Sequence, residues 1–191
     1  LSNDLTSSLK AYYPQALQWF GDIDTLLFCD FLVRWPTLAQ AQAESDMALT
    51  EFFKSRRCGR VEVITRRLRA IRKAMSLTDD EGTIVPFERR SLALIRQLRQ
   101  LLLTIQQYDL EIASRFQAHT EYELFDSLPG AGAVFGPRLL AALGTDRTRY
   151  SSADEIARYS GVAPVTVRSG TKTWVHWRYC CPKFLRQIFV E

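Results

Sequence analysis

Apolar residues in the first part of the chain cluster in short runs cut by turn formers, which predicts a series of short helices. Residues 1–35 are apolar and aromatic, and Pro14 and Gly21 divide two helical stretches. Asp22 is placed to cap the second, whose Ile23, Leu26, Leu27, Phe31 and Leu32 share one broad face. Trp35-Pro36 ends it, because the residue before a proline is pushed out of helical backbone. Thr37 with Gln40 three residues on forms a capping-box pattern that opens a helix to about Lys54. Cys58-Gly59 reads as a turn, and a further helix spans about Arg60 to Ala74.

The polar stretch 76–85 predicts a loop, and Pro86 suits a first helical turn. From there to about His119 the chain lacks Gly and Pro. Ile95, Leu98, Leu102, Ile105, Ile112 and Phe116 follow alternating steps of three and four, with Asp109 interrupting. Such a register predicts a coiled-coil seam to a second copy, or a long helix packed on its own domain. From Glu121 the texture changes to short helices joined by Gly-rich turns, which sets a domain boundary near residue 120.

Composition adds little until the position of the charge is considered. Hydrophobic content of 47% and charged content of 24% fit a globular chain with a core. The net charge of +4 is mildly basic and points toward a polyanionic partner. Cys29, Cys58, Cys180 and Cys181 lack zinc-ligand spacing and read as free thiols of a cytosolic protein, so no metal site is expected in the chain itself. No apolar run reaches the length of a membrane helix, and no signal peptide is seen.

Three constellations carry chemistry. Lys54, Arg56, Arg57, Arg60, Arg66, Arg67, Arg69, Arg72 and Lys73 stand against Glu62 alone. With Val63, Leu68 and Ile71 facing a core, these cations project outward, as a phosphate-binding face or a solvated one. Second, Leu124-Phe125-Asp126-Ser127-Leu128-Pro129-Gly130-Ala131-Gly132 precedes an apolar helix through Leu143, a helix-hairpin-helix pattern or an ordinary helix-helix turn. In the first case Gly130 and Gly132 admit a phosphate to free amides, and Pro137 sits near the first turn. Third, Ser152 and Glu155 cap a short helix ended by Gly161, Pro164 opens an extended segment, and Ser169-Gly170 is a turn. A serine flanked by Arg168 and Lys172 can attack a phosphodiester whose charge they hold, although most Ser-Gly turns are structural.

Taken in order, Ser-Leu-Pro-Gly-Ala-Gly (127–132), Arg-Tyr-Ser-Ser-Ala-Asp-Glu-Ile-Ala (149–157), Gly-Val-Ala-Pro (161–164) and Arg-Ser-Gly-Thr-Lys (168–172) resemble a known domain. It is the C-terminal transposase domain of the DEDD-type insertion-sequence transposases, relatives of the Piv invertases and of bridge-RNA-guided recombinases. Pro182-Lys183-Phe184-Leu185-Arg186 looks like that domain's final basic helix. The resemblance implies an active site in two parts, with four acidic residues of a RuvC-like domain holding Mg2+ and a serine supplied by the C-terminal domain. The matching serine is Ser169, which would form a covalent phosphoserine with DNA. The chain departs from the pattern at Trp174, His176 and Trp177, where small residues are usual, and at Cys180-Cys181, where a Gly-containing basic turn is usual.

The expected fold is mainly α. Residues 1–85 form a helical linker region with a basic helix pair, 86–120 a long coiled-coil-like helix, and 121–191 a transposase domain with a helix-hairpin-helix, a short extended or β segment and an incomplete C-terminus. The expected activity is cutting and rejoining DNA through Ser169, with Gly130, Gly132, Arg168, Lys172, Arg66 and Arg69 on DNA. Expected partners are DNA, a guide RNA and a second copy through the long helix. A cytoplasmic, nucleoid-associated location follows, with no membrane contact. Without the acidic domain the chain is expected to be inactive. The competing expectations are a non-catalytic helix-hairpin-helix DNA-binding module and a helical interaction protein.

Overall fold

A computed structural model describes residues 1–56, 58 and 60–190. Arg57 of the basic cluster and Gly59 of the expected Cys58-Gly59 turn lie outside the described residues. The fold is mainly α and divides into two compact units, Leu1–Gln107 and Tyr108–Glu191.

Unit 1 begins with α1 (Ser2–Tyr12), α2 (Pro14–Trp19) and α3 (Leu26–Arg34). Pro14 opens α2 at a position where its missing amide costs nothing. The cap of α3 is Thr25, whose Oγ1 accepts from the Phe28 amide at 3.2 Å. Asp22 instead accepts from the Asp24 amide, closing the turn before the helix, so the expected Asp22 cap is corrected by three residues.

The single helix expected from Thr37 to about Lys54 is broken. Thr37 caps α4 (Leu38–Ala43) as expected, but Glu44 and Ser45 are extended, and Ser45 caps α5 (Asp46–Ser55). Arg72 of α6 (Val61–Lys73) clasps this break: it bonds Asp46 Oδ1 at 2.6 Å and donates to the Gln42 and Glu44 carbonyls. Periodicity alone does not reveal such a break, because the clasping residue lies far along the chain.

The core of unit 1 is aromatic: Tyr13, Phe28, Phe31 and Phe53 are fully buried. Phe31 and Phe53 stack 6.0 Å apart, and Phe20 meets Phe28 edge-on at 5.3 Å. At the rim, Asp30 (8% exposed) binds Arg99 Nε at 2.7 Å and Arg56 Nη1 at 2.8 Å, tying α3 to the helix that carries Arg99 and to the end of α5.

Helix α7 (Glu81–Gln117) begins before Pro86, which lies inside the helix rather than at its start. Asp80 makes this possible, since its carboxylate accepts from the Gly82 amide and the Thr83 hydroxyl. At 37 residues α7 is roughly 55 Å long. Its apolar stripe is used largely within the chain. Ile95 and Leu98 are buried in the core of unit 1 with Leu102 against them, whereas Phe116 is buried in the core of unit 2. Ile105 and Ile112 remain exposed.

Unit 2 continues with α8 (Tyr122–Asp126), α9 (Gly132–Leu143), a 3-10 turn (Arg147–Arg149) and α10 (Ala153–Ser160). An antiparallel hairpin follows, β1 (Val165–Ser169) and β2 (Lys172–His176), then α11 (Lys183–Val190). Phe116, Phe125, Ala131, Leu139 and Ile188 form the core. A Cβ on Gly136 would stand 2.7 Å from the Phe116 ring, so α9 approaches α7 at a residue with no side chain. Pro137 lies well inside α9, one turn later than expected.

Candidate functional site

The basic cluster separates into cations used by the fold and cations left free. Arg67 does not project outward: its Nε donates to the Trp19 carbonyl at 2.9 Å and its Nη1 to Cys58 Sγ at 3.0 Å. Its guanidinium also lies over Phe20 at 4.7 Å and Phe53 at 5.3 Å. Arg56 and Arg72 are likewise committed, to Asp30 and to the α4–α5 break. The expectation that the whole cluster faces outward is therefore corrected for these three. Arg66, Arg69 and Lys73 are exposed on one side of α6, three and then four residues apart. Arg66 and Lys73 also border a cavity of about 520 Å³ lined by Gln15, Gln18, Trp19 and Met75.

Between α8 and α9 the chain turns through Ser127–Ala131. The Ser127 hydroxyl donates to the Leu124 carbonyl, and the Ala131 amide closes the turn on Leu128. Gly130 (φ 79°) and Gly132 (φ 49°) take left-handed backbone, which explains the choice of glycine. A Cβ at either position would meet nothing within 4 Å, so the backbone there is open to a ligand. Arg147 braces the pair, bonding Glu121 Oε2 at 2.8 Å and the Gly144 carbonyl while lying over the Phe125 ring. The geometry presents the unbonded first-turn amides of α9 beside bare glycine backbone, an arrangement that suits an anion.

In the third constellation Ser152 caps α10, and Gly161 ends it in left-handed backbone with φ 79°. The Glu155 carboxylate binds not Ser152 but the amide and hydroxyl of Ser151, both at 2.7 Å, so the expected reciprocal box is displaced by one residue. These bonds, the Ser151 hydroxyl foremost, hold the Glu155 carboxyl below its ordinary range. Gly161 packs tightly: an added Cβ would stand 2.5 Å from Cys181 Sγ and 2.8 Å from an Arg186 nitrogen.

The hairpin turns at Gly170 (φ 59°) and Thr171, which pairs Ser169 directly with Lys172 and Arg168 with Thr173. Side chains alternate across a strand, so Lys172 shares the face of Ser169 and Arg168 belongs to the opposite face. Val167 and Trp174 form the next pair along the Ser169 face. Ser169 is exposed, and its side-chain hydroxyl has no hydrogen-bond partner among the described residues. The other serines from Ser127 onward are engaged, Ser127, Ser151 and Ser160 as donors and Ser152 as a cap.

Reading the residues singly missed two features. Trp174 lies on the Ser169 face, which the strand alternation around a two-residue Gly170-Thr171 turn would have disclosed. Between Glu155 and Glu191 the sequence contains six Arg and Lys and no Asp or Glu, a sign bias that surrounds the hairpin. Among the described residues no group of three His, Cys, Asp or Glu is placed to hold a metal ion. No helix among them is long and apolar enough to cross a membrane.

Residues 122–191 match the family model described as "Transposase IS116/IS110/IS902 family". The chain is 32% identical over 186 residues to the "Mini-circle putative transposase for IS117" of Streptomyces coelicolor, covering 94% of this chain and 44% of that protein. It is 31% identical over 101 residues to the uncharacterized 42 kDa protein of insertion element IS900 from Mycobacterium paratuberculosis, covering 51% of this chain and 25% of that one. It is 32% identical over 105 residues to the 44.8 kDa protein of insertion element IS116 from Streptomyces clavuligerus, covering 53% and 26%. The chain thus spans less than half the length of these relatives. No solved structure matches it.

Proposed function

Taking as premise that residues 122–191 match the IS116/IS110/IS902 transposase family, we propose that the chain is part of a DNA transposase whose nucleophile is Ser169. The observation that carries this reading is the placement of Ser169: exposed at a hairpin tip, its hydroxyl unengaged, with Lys172 directly across on the same face. A phosphate brought to Ser169 Oγ meets the Lys172 ammonium, which offsets the charge that builds on its oxygens during attack. Oγ forms the new phosphorus–oxygen bond as one bridging ester oxygen leaves, giving a phosphoserine. Attack by the hydroxyl of a second strand reverses the step and rejoins DNA. The Ser169 proton passes to a base as Oγ attacks, and the departing ester oxygen takes up a proton as it leaves, so that the step balances. No carboxylate lies in the segment around the hairpin, which does not fit a metal site. The Mg2+ implied by the family resemblance would be held by the RuvC-like acidic domain that the resemblance also implies, and not by these residues.

DNA is held, in this reading, by backbone contact at Gly130 and Gly132 and by Arg66 and Arg69. Arg168, on the far face of the hairpin, contacts the backbone of a strand rather than the reacting phosphate. Guide-RNA binding and pairing with a second copy through α7 belong to the same proposal. The test is strand exchange by the full-length protein. Ser169→Ala keeps DNA affinity and loses recombination, whereas alanine at Ser127, Ser151 or Ser160 leaves recombination in place. Recombination by the Ser169→Ala protein would reduce the chain to a DNA-binding module.

A further inference from the structure

The Ser169 face of the hairpin carries a partly exposed aromatic ring, that of Trp174. Trp174 is 44% exposed, on a two-stranded ribbon whose strands are exposed along nearly their whole length. It lies two residues from Lys172 along β2 and pairs with Val167 of β1. Its exposed part is open to a ligand beside the Ser169–Lys172 pair, on a ribbon whose residues are nearly all exposed. The charge around it selects the kind of ligand. The acid-free segment contributes cations alone, Lys172 among them on the same face, and so complements a polyanion.

We infer that Trp174 is a stacking platform for an unpaired base of the nucleic-acid strand whose phosphate lies at Ser169. This rests on the proposed role of Ser169. The ring favours an unpaired strand over a duplex. Ser169 and Trp174 are diagonal neighbours on one face, roughly 7–8 Å apart, within reach of a phosphate and a base next to it. In a duplex both faces of each base are covered by its stacked neighbours, so the Trp174 ring meets a base face only where the strand is unstacked. Stacking on an aromatic face tolerates any base, so Trp174 positions the strand without reading its sequence. Trp174 acts beside the nucleophile as a positioning residue.

The experiment measures fluorescence anisotropy of a labelled 12-nucleotide oligothymidylate and of a blunt duplex of the same length, with this chain and its Trp174→Phe and Trp174→Leu variants. Circular dichroism checks that both variants fold. The expected result is near-native affinity for the single strand in Trp174→Phe and a roughly 10-fold loss in Trp174→Leu, the order expected for one stacked base, with duplex affinity unchanged. Equal affinity of Trp174→Leu and the unaltered chain for the single strand overturns the inference while the transposase reading stands, and points instead to an apolar protein contact. An equal loss on both probes overturns it as well. Failure of the unaltered chain to bind either probe overturns this inference together with the DNA-contact reading.

Discussion

At the scale of single residues, the same residue type serves opposite ends. Arg67 and Arg66 are neighbours in sequence, yet one is a strut within unit 1 and the other faces solvent. Arg67→Ala removes two hydrogen bonds and two ring contacts and is expected to destabilise unit 1 by about 2 kcal/mol, as charged hydrogen bonds and cation–π contacts of this kind do. Arg66→Ala with Arg69→Ala is expected to leave the unfolding midpoint unchanged. It should flatten the salt dependence of DNA affinity by roughly one log–log unit per lost phosphate contact. Urea unfolding and a salt titration check the two halves, and a stable Arg67→Ala protein would contradict the assignment. Gly161→Ala is expected to cost about 2–4 kcal/mol, since left-handed backbone and the contact with Cys181 both oppose a methyl group. Thermal unfolding measures it. The basic cluster was legible as a cluster in the sequence, but which of its members are free was not. That division depends on Trp19, Asp30 and Asp46, residues remote in sequence that fold onto it.

At the scale of elements, local signals succeeded where the determining partner was local. Thr37, Ser152 and Gly161 mark helix ends that need only neighbouring residues, and all three stand where expected. The break between α4 and α5 escaped because Arg72 holds it from another helix. The stripe on α7 was read correctly as apolar, yet periodicity does not say whether such a stripe faces its own domain or a partner. Ile95 and Leu98 face their own core. The hairpin was legible as an extended segment and a turn, but the pairing that puts Lys172 and Trp174 beside Ser169 required its register. The start of α10 supplies a pH test. Glu155 has a folded pKa below its ordinary 4.5, so its contribution to stability is complete above that value and fades as pH falls through the folded one. A Glu155→Gln variant is expected to melt below the unaltered chain at neutral pH and to match it in strong acid. A gap that persists undiminished into strong acid would show that charge plays no part in the clamp.

At the scale of the whole molecule, the proposed reading has the free cations of α6, the bare glycine turn before α9 and the hairpin tip each meet a phosphate, by different means. Ammonium and guanidinium groups supply charge, the turn supplies backbone amides, and the hairpin supplies a hydroxyl. Of the serine hydroxyls at these places, that of Ser127 is engaged with the Leu124 carbonyl and that of Ser169 is not. The most direct measurement of the account traps the protein–DNA adduct formed by the full-length protein, digests it, and maps the nucleotide-bearing residue by mass spectrometry. The account predicts one modified peptide, carrying its phosphodiester on Ser169 and absent from the Ser169→Ala protein. Attachment at another serine or at a tyrosine, or an undiminished adduct in Ser169→Ala, would contradict it.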